Sequence, residues 1–411
     1  MTALGAALSP LAPARFPDLP AVAGVRLASA AAGVRYQGRA DVLLAHVAGE
    51  ASVAAATTRS ATRSAAVLDV ERKVARRATG PHAVLVNSGN SNAFTGRAGA
   101  AAVESLCATV SEVLDVAPSH VLTSSTGVIG EPLPWERIAD ALPRLAAALG
   151  PAAGPAWEAA ARAIMTTDTF PKGAGEAVRL PGGTVAVAGI AKGSGMIAPD
   201  MGTMLAYVFT DAFVSPGALR RMTAEACERT FNRITVDGDT STSDTLLVAA
   251  TGASGVDGDD PLLAAALERV FLDLALQVVR DGEGATRLIE VRVEGAASAE
   301  DAKRVGLGIA NSPLVKTAVA GGDANWGRVV MAVGKSGATA DRDRLAIRFG
   351  DTWVAREGAR VPDYSEEAAT AAVRRDHVRI GVDLGLGGHA TTVWTCDLTH
   401  GYVDINAHYR S

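Results

Sequence analysis

Strand-like and helix-like segments alternate irregularly along this chain, and their order is what most restricts its fold. From 24 to 67, short runs alternate apolar and polar residues, as in 41–47, which predicts β-strands. Between 100 and 116 the apolar residues recur at helical spacing and predict a helix. Two strands are then predicted close together, at 184–190 and 204–209. Neighbouring strands without a helix between them favour α+β layers over a strictly alternating doubly wound sheet.

The remaining elements are predicted from the same periodicities and from capping residues. Ser215 precedes Pro216 as N-cap and first helical residue, and Ser298 is followed three residues later by Asp301. The C-terminal third is predicted mostly as strands, with one helix near 365–374. The other predicted elements are helices at 135–148, 157–165 and 261–279, and strands at 289–293, 377–384 and 391–397.

Composition and charge exclude several classes of protein. The chain has 411 residues, 48% hydrophobic and 20% charged, which fits a globular protein of two domains or one large one. Its net charge of -5 offers no basic field, so we expect no nucleic-acid partner. No apolar run reaches the ~18 residues that span a bilayer, so we expect no membrane insertion.

The cysteines and histidines indicate a reduced, metal-free protein. Cys107, Cys227 and Cys396 are odd in number and far apart, which favours thiols in a cytoplasm over disulfides. No Lys or Arg precedes Arg15, so the basic region of a secretory signal is missing and we expect a cytoplasmic protein. The seven histidines show no HExxH or similar spacing, and we expect no metal site.

Two glycine-rich segments only partly match nucleotide-binding motifs. Gly334-Lys335-Ser336 has the end of a phosphate-binding loop, but Val329 stands where its first glycine belongs. The segment 385–390 fits the dinucleotide glycine pattern, yet β-like residues follow it where that motif needs a helix. We therefore predict a tight turn between two strands at 385–390.

The segment 192–205, Lys-Gly-Ser-Gly-Met-Ile-Ala-Pro-Asp-Met-Gly-Thr-Met-Leu, fits an autoproteolytic N-terminal nucleophile. The hydroxyl of Thr203 would attack the carbonyl of Gly202, which has no Cβ to obstruct it. The α-amine freed at Thr203, with an ordinary pKa of ~7.7–8.0, could then serve as base for its own hydroxyl. Taken alone, Gly-Thr at the start of a strand is more often a turn followed by a β-former, so both interpretations stay open.

The same segment resembles the processing site of the ornithine acetyltransferases, also called bifunctional glutamate N-acetyltransferase/amino-acid acetyltransferases, of arginine biosynthesis. Seven other segments resemble that family in the same order, so the resemblance covers nearly the whole chain. They are 86–96, 124–130, 165–171, 281–286, 311–317, 322–328 and 402–411. The resemblance implies an α/β fold of mixed sheets flanked by helices, self-processing and of the N-terminal-nucleophile type, with two intertwined chains.

The resemblance also assigns roles to residues at matching positions. Thr203 would be the nucleophile of self-cleavage and acetyl transfer, and Thr126 and Gly127 the oxyanion-hole pair. The substrate-binding positions would be Thr203, Lys192, Glu283, Asn406, Ser411 and one of Thr166 and Thr167, with Thr166 preferred. Substrates with an α-carboxylate and either an ammonium or a second carboxylate need both signs of charge.

By the same resemblance, cleavage would give an α chain of 1–202 and a β chain of 203–411, assembled as α2β2. The implied reaction is ping-pong transfer of acetyl from N2-acetyl-L-ornithine to L-glutamate, without a metal or organic cofactor. Whether acetyl-CoA is a second donor stays open, and a related self-processing aminopeptidase or amidase is the alternative. Gly202 replaces the usual alanine and Ser411 the common threonine, so the extent of cleavage is also open.

Overall fold

The computed structural model describes residues 7–198 and 204–407, which form two compact units. Unit 1 contains 13–198, 204–232 and 239–278, and unit 2 contains 7–12, 233–238 and 279–407. Gly202, Thr203 and Ser411, three residues of the predicted site, lie outside the described residues. The predicted cleavage into 1–202 and 203–411 therefore stays a prediction.

Unit 1 is built from ten described strands and six described helices. The strands are β1 (Val25–Ala30), β2 (Val42–Val47), β3 (Ser52–Thr57), β4 (His82–Asn90), β5 (Val121–Val128), β6 (Gly150–Pro151), β7 (Lys172–Leu180), β8 (Gly183–Lys192), β9 (Leu205–Thr210) and β10 (Thr245–Ala250). The helices are α1 (Ala65–Val74), α2 (Gly96–Leu114), α3 (Trp135–Ala147), α4 (Pro155–Ile164), α5 (Pro216–Arg229) and α6 (Pro261–Arg280), whose last residues belong to unit 2.

These strands form two mixed sheets. The first has the order β5-β4-β2-β1-β6, and the second the order β3-β10-β9-β8-β7. In the first sheet β4 and β5 run parallel, and in the second β9 and β10 do; the other pairs are antiparallel. The expected mixed sheets flanked by helices are therefore confirmed.

The two sheets of unit 1 share one apolar core. Leu43 of β2, Ile190 of β8 and Tyr207 of β9 are buried together with Trp157 of α4. Helices α2 and α3 cover the other face of the first sheet, and α5 packs on β3 and β10 of the second. Each large apolar side chain buried in such layers contributes about 1.5–3 kcal/mol to the free energy of folding. The packed layers therefore hold the ends of their strands in place.

The end of β8 lies beside the start of β9. Lys192 pairs with Leu205 across this antiparallel pair. On the other side of β9, the N–H of Thr245 donates to the carbonyl oxygen of Met204 at 3.0 Å. The hydrogen bonds of the second sheet thus hold the chain on either side of the predicted cleavage point.

Unit 2 is one mixed sheet with helices around an apolar core. Its strands, in the order β14-β13-β12-β15-β11-β16, are β11 (Leu288–Ala296), β12 (Ala346–Phe349), β13 (Thr352–Arg356), β14 (Ala359–Arg360), β15 (His377–Asp383) and β16 (His389–Cys396). Its helices are α7 (Ala299–Ala310), α8 (Pro313–Gly321), α9 (Trp326–Gly334), α10 (Glu366–Val373) and α11 (His400–Ala407).

A buried lysine fastens the segment 233–238 to the rest of unit 2. The Lys316 ammonium donates to the carbonyl oxygens of Val236 at 2.7 Å and Cys396 at 2.5 Å, and to the hydroxyl of Thr395 at 2.8 Å. Three acceptors around one buried cation replace the water that it loses on burial.

Several sequence predictions are confirmed by particular contacts. The Ser215 side chain accepts the N–H of Ala218 at 3.4 Å, and that of Ser298 accepts the N–H of Asp301 at 3.0 Å, so both residues are N-caps. The predicted turn between two strands is confirmed, since 384–388 connect β15 to β16, and 389–390 already belong to β16. The three cysteines are buried thiols with no disulfide between them.

The prediction of mostly strands in the C-terminal third is wrong for three segments. The structure has helices α8, α9 and α11 there, at 313–321, 326–334 and 400–407. The strand region predicted at 24–67 is also wrong at its end, because 65–67 begin α1. Helices α8, α9 and α11 are only eight or nine residues long, so each offers little more than about two turns in which a helical spacing could be recognised. Ser312 before Pro313 is the same start signal as Ser215 before Pro216 and could have located α8.

The described residues, 7–198 and 204–407, contain neither a membrane-spanning helix nor a metal-binding cluster. No helix in these ranges is long and apolar enough to cross a membrane. The same ranges contain no group of three or more His, Cys, Asp or Glu side chains that could hold a metal ion.

Candidate active site

Thr126 and Gly127 lie on β5, where the chain can accommodate only glycine. Gly127 has a φ of +130°, and a Cβ there would lie 2.3 Å from the carbonyl carbon of Gly89 and 2.6 Å from the nitrogen of Asn90. The β4–β5 register shifts at the same point, with Asn90 opposite both Thr126 and Val128. The strand bends next to Thr126, and the pair predicted as the oxyanion hole occupies this bend.

Lys192 joins the two sheets of unit 1 through hydroxyl groups. Its ammonium donates to the hydroxyl of Thr126 at 3.1 Å and to that of Thr166 at 3.1 Å. All three residues are buried, and Lys192 is 9% exposed. A cation and two hydroxyls thus converge at the end of β8, an arrangement suited to holding a carboxylate or a developing oxyanion.

Asp168, between α4 and β7, is a fully buried carboxylate. Its Oδ1 accepts from the Lys172 ammonium at 2.7 Å and from the N–H of Gly193 at 2.7 Å, and its Oδ2 accepts the N–H of Thr166 at 3.0 Å. Burial alone raises its pKa, but the ammonium groups of Lys172 and Lys192 and these hydrogen bonds outweigh burial and lower the pKa to about 2.

The neighbouring threonines Thr166 and Thr167 make different contacts. Thr166 touches Lys192, whereas the Thr167 hydroxyl shares a 2.5 Å hydrogen bond with the hydroxyl of Ser194. Of the two residues that the sequence left open, Thr166 is therefore the one that meets Lys192. Thr167 instead connects the segment 165–168 to the chain after β8.

The chain after Lys192 is constrained before it reaches the predicted cleavage point. Gly193 has a φ of +153°, and a Cβ there would lie 3.0 Å from the side chain of Ile197. Met196 has a φ of +55°, in the left-handed region that costs a side-chain-bearing residue energy. The backbone of the approach is therefore strained at Met196 within the described residues.

Asp244, just before β10, is a second buried carboxyl near Lys192. It is 4% exposed, and its Oδ2 has no hydrogen-bond partner in the described parts of the chain. Burial raises the pKa of Asp244 well above its ordinary value, although the Lys192 charge and hydrogen bonds from Ser241 lower it. Burial thus favours the protonated form of Asp244 more than it would for an exposed aspartate.

Glu283 and Asn406, both in unit 2, are in contact. Asn406 Nδ2, on α11, donates to Glu283 Oε2 at 2.8 Å and to the carbonyl oxygen of Tyr402 at 3.0 Å. Glu283 follows α6 and is 8% exposed. The carboxylate–amide pair suits the binding of an ammonium group. The structure thus groups Thr126, Thr166 and Lys192 in unit 1, and Glu283 with Asn406 in unit 2.

Sequence reasoning missed Asp168, Ser194 and Asp244. Asp168 stands inside the segment 165–171 and Ser194 inside 192–205, both of which resemble the family segments. An acid next to threonines in such a segment was the available signal for Asp168. Asp244 had no such signal, because its proximity to Lys192 arises only from folding.

Comparison with known proteins identifies the family. The model of the ArgJ family matches residues 26–411 of the sequence. The chain belongs to the ArgJ family. The arginine biosynthesis bifunctional protein ArgJ of Ruegeria pomeroyi is 63% identical over 98% of this chain and 98% of its own length. That of Rhizobium meliloti is 53% identical over 99% of this chain and 100% of its own length.

One solved structure in the comparison is the crystal structure of the arginine biosynthesis bifunctional protein argJ from Bacillus halodurans. It is 43% identical, with a TM-score of 0.48, and covers 50% of this chain and 99% of that chain. Family membership, together with relatives matched along nearly their whole length, makes the present chain an enzyme, an acetyltransferase of arginine biosynthesis.

Proposed function

We propose that this enzyme transfers the acetyl group of N2-acetyl-L-ornithine to L-glutamate through an acetyl ester on Thr203. The observation that carries the proposal is the convergence of Lys192 with the hydroxyls of Thr126 and Thr166 where β8 ends beside the start of β9. This cluster lies where the chain approaches residue 203 on both sides. Membership of the ArgJ family supports the same reaction.

Self-cleavage precedes transfer in this proposal. The Thr203 hydroxyl attacks the Gly202 carbonyl, and the amide bond between the two residues breaks as an ester forms and the freed Thr203 amine takes the proton. Water then hydrolyses this ester, which leaves Gly202 with a carboxylate and returns the Thr203 hydroxyl. The strained Met196 and the fixed strand ends on both sides support a loop that brings these atoms together. The products are an α chain of 1–202 and a β chain of 203–411.

Acetyl transfer then runs in two half-reactions. The Thr203 hydroxyl attacks the acetyl carbonyl of acetylornithine, the amide C–N bond breaks, and the departing ornithine amine takes the proton. The glutamate amine next attacks the ester, releasing N-acetylglutamate and returning the proton to Thr203. In both steps Thr126 and Gly127 donate hydrogen bonds to the tetrahedral oxyanion, where one such donor is worth ~2.7–4 kcal/mol.

Recognition of the two substrates divides between the charged residues. We assign Glu283, supported by Asn406, to the side-chain ammonium of acetylornithine, and Lys192 with Thr166 to a substrate carboxylate. Ser411 would join them. No step needs a metal or organic cofactor. The curated relatives are named bifunctional, which fits acetyl-CoA as a second donor, and we propose an α2β2 assembly of the cleaved chains.

Mass spectrometry and N-terminal sequencing test the cleavage. Purified enzyme should give two chains, the second beginning at Thr203, and Thr203→Ala should remain intact because it has no hydroxyl. Thr203→Ser, which keeps a hydroxyl, is the matched control and should still be cleaved. A second chain that starts at any other residue refutes the assignment of Thr203.

Single-substrate incubation tests the transfer. Acetylornithine alone should add one acetyl mass to the β chain and release ornithine, and glutamate added later should remove that mass as N-acetylglutamate. Initial-rate plots should be parallel lines. Intersecting lines without an acetylated chain would indicate direct transfer, and steady release of acetate without glutamate would indicate an amidase.

A further inference from the structure

Three separate hydrogen bonds connect the segment 165–168 to the end of β8 and to the residues that follow it. Thr166 meets Lys192 at 3.1 Å, Thr167 meets Ser194 at 2.5 Å, and the N–H of Gly193 donates to Asp168 at 2.7 Å. The Asp168 carboxylate also accepts a hydrogen bond from its own segment, donated by the N–H of Thr166 at 3.0 Å. One carboxylate therefore fixes the backbone on both sides of the Thr166–Lys192 contact.

Lys172 holds this carboxylate in place. Its ammonium donates to Asp168 at 2.7 Å and to the carbonyl oxygen of Phe170 at 3.2 Å, and both charged side chains are 0% exposed. Desolvation makes a buried ion pair a poor device for stability alone, since an apolar pair of similar size often stabilises a fold equally well. An apolar pair could not accept the two hydrogen bonds that Asp168 receives from the backbone N–H groups of Thr166 and Gly193.

We propose that Asp168, held by Lys172, is a positioning residue of the active site. It fixes Thr166 and the start of the 193–198 segment, so that Lys192 lies against both Thr126 and Thr166 and the chain approaches the cleavage point in one path. Asp168 acts through these residues and does not touch the reacting atoms. The role in transfer rests on the proposed function, whereas the role in self-cleavage can be measured separately.

The chain offers a matched control in α1. Asp69 and Lys73 form a buried ion pair at the same i,i+4 spacing, with an N–O distance of 2.6 Å. Asp69 also pairs with Arg72 at 2.6 Å, and none of its hydrogen bonds within the described residues reaches a backbone amide of the segments 165–168 or 192–198. The double variant Asp69→Asn/Lys73→Met therefore removes a comparable ion pair without removing a contact to either segment.

The experiment compares this control with Asp168→Asn and with Asp168→Asn/Lys172→Met. The readouts are the fraction of cleaved chain over time, the melting temperature, and kcat and KM per mole of cleaved chain. Asp168→Asn should melt lower because it leaves Lys172 buried without its counter-charge, and the double variant should regain part of that loss. Both should be cleaved more slowly, and both should show kcat/KM lower by about 10- to 100-fold, as expected for losing hydrogen bonds to a charged group.

Cleavage and kcat/KM of the Asp69/Lys73 control should stay within about twofold of the parent, since it keeps the contacts of both segments. If the Asp168/Lys172 double variant behaves like this control, Asp168 is structural only and the proposal is overturned. If neither Asp168→Asn variant folds, Asp168→Glu replaces them, and unchanged rates in it overturn the proposal equally. If the parent enzyme is cleaved but transfers no acetyl group from acetylornithine to glutamate, the proposed function fails, and the cleavage rates still decide the role of Asp168.

Discussion

The ammonium of Lys192 lies 3.1 Å from the hydroxyl of Thr126, although 66 positions separate them along the chain. Lys192 ends β8 in the second sheet of unit 1, and Thr126 lies on β5 at the edge of the first. The contact therefore spans the space between the sheets at one end of their shared core. A change that shifts one sheet against the other therefore alters this distance.

Replacing Thr126 should slow the chemical step. Thr126→Ala removes a hydroxyl that we assign to the oxyanion, so kcat should fall by about 10²–10³ with KM nearly unchanged. Steady-state kinetics measures both. The matched control is Thr123→Val, because Thr123 points to the opposite face of β5 and its buried hydroxyl has no hydrogen-bond partner in the described residues. A changed KM with an unchanged kcat would reassign Thr126 to ground-state binding.

A side chain at Gly127 should destabilise unit 1. Gly127→Ala places a Cβ 2.3 Å from the backbone of Gly89 at a φ of +130°, so both a clash and an unfavourable dihedral result. Gly130→Ala is the control for the dihedral alone, because Gly130 has a φ of +85° and nothing within 4 Å of its Cβ position. The dihedral should cost about 1–2 kcal/mol and the clash about 1–3 kcal/mol more. Urea unfolding of both variants measures the difference, and equal losses would show that β4 yields to the methyl group.

Neutralising Glu283 should discriminate between the two substrates. Glu283→Gln keeps an acceptor for Asn406 but removes the charge assigned to the ornithine ammonium. KM for acetylornithine should rise by about 10- to 100-fold, the usual value of a charged hydrogen bond, and KM for glutamate should change little. Glu290→Gln on β11, where Glu290 meets His377 at 3.2 Å, is the control and should change neither KM. An equal rise in both KM values would contradict the assignment.

Stability should fall between neutral and weakly acidic pH because of His82. Burial lowers the pKa of His82 to about 4, although its hydrogen bond to the carbonyl of Gly80 raises it. The unfolded chain, with an ordinary His pKa of about 6.5, then binds more protons than the folded one, so stability is lost as pH falls from 6.5 towards 4, by about 3 kcal/mol in full. Urea unfolding at several pH values should show a shallower loss for His82→Asn. The same loss in parent and variant would exclude His82 as the cause.

The sequence predicts best where neighbours along the chain decide the structure. Ser215 and Ser298 cap helices because each cap bonds to a residue three positions on. Helices α8 and α9, of nine residues each, were missed because packing, more than local propensity, stabilises such short helices.

The residues of the candidate site also differ in whether the local sequence or only the folded chain reveals them. Thr126, Thr166 and Lys192 were found because their segments resemble one family. Asp168, although it lies in one of these segments, was given no role, because its hydrogen bond to Gly193 joins positions 25 residues apart and is visible only in the folded chain. The raised pKa of Asp244 likewise depends on burial that only the folded chain creates.

The second sheet of unit 1 has the order β3-β10-β9-β8-β7. A cut at the proposed position assigns β3, β8 and β7 to one product and β10 and β9 to the other, and β9 keeps six paired positions with β8. Neither fragment synthesised alone contains a complete version of this sheet. Under the proposed cleavage, the precursor would therefore complete this sheet before the cut, and a denatured mixture of the two fragments would face a bimolecular search that the intact chain does not make.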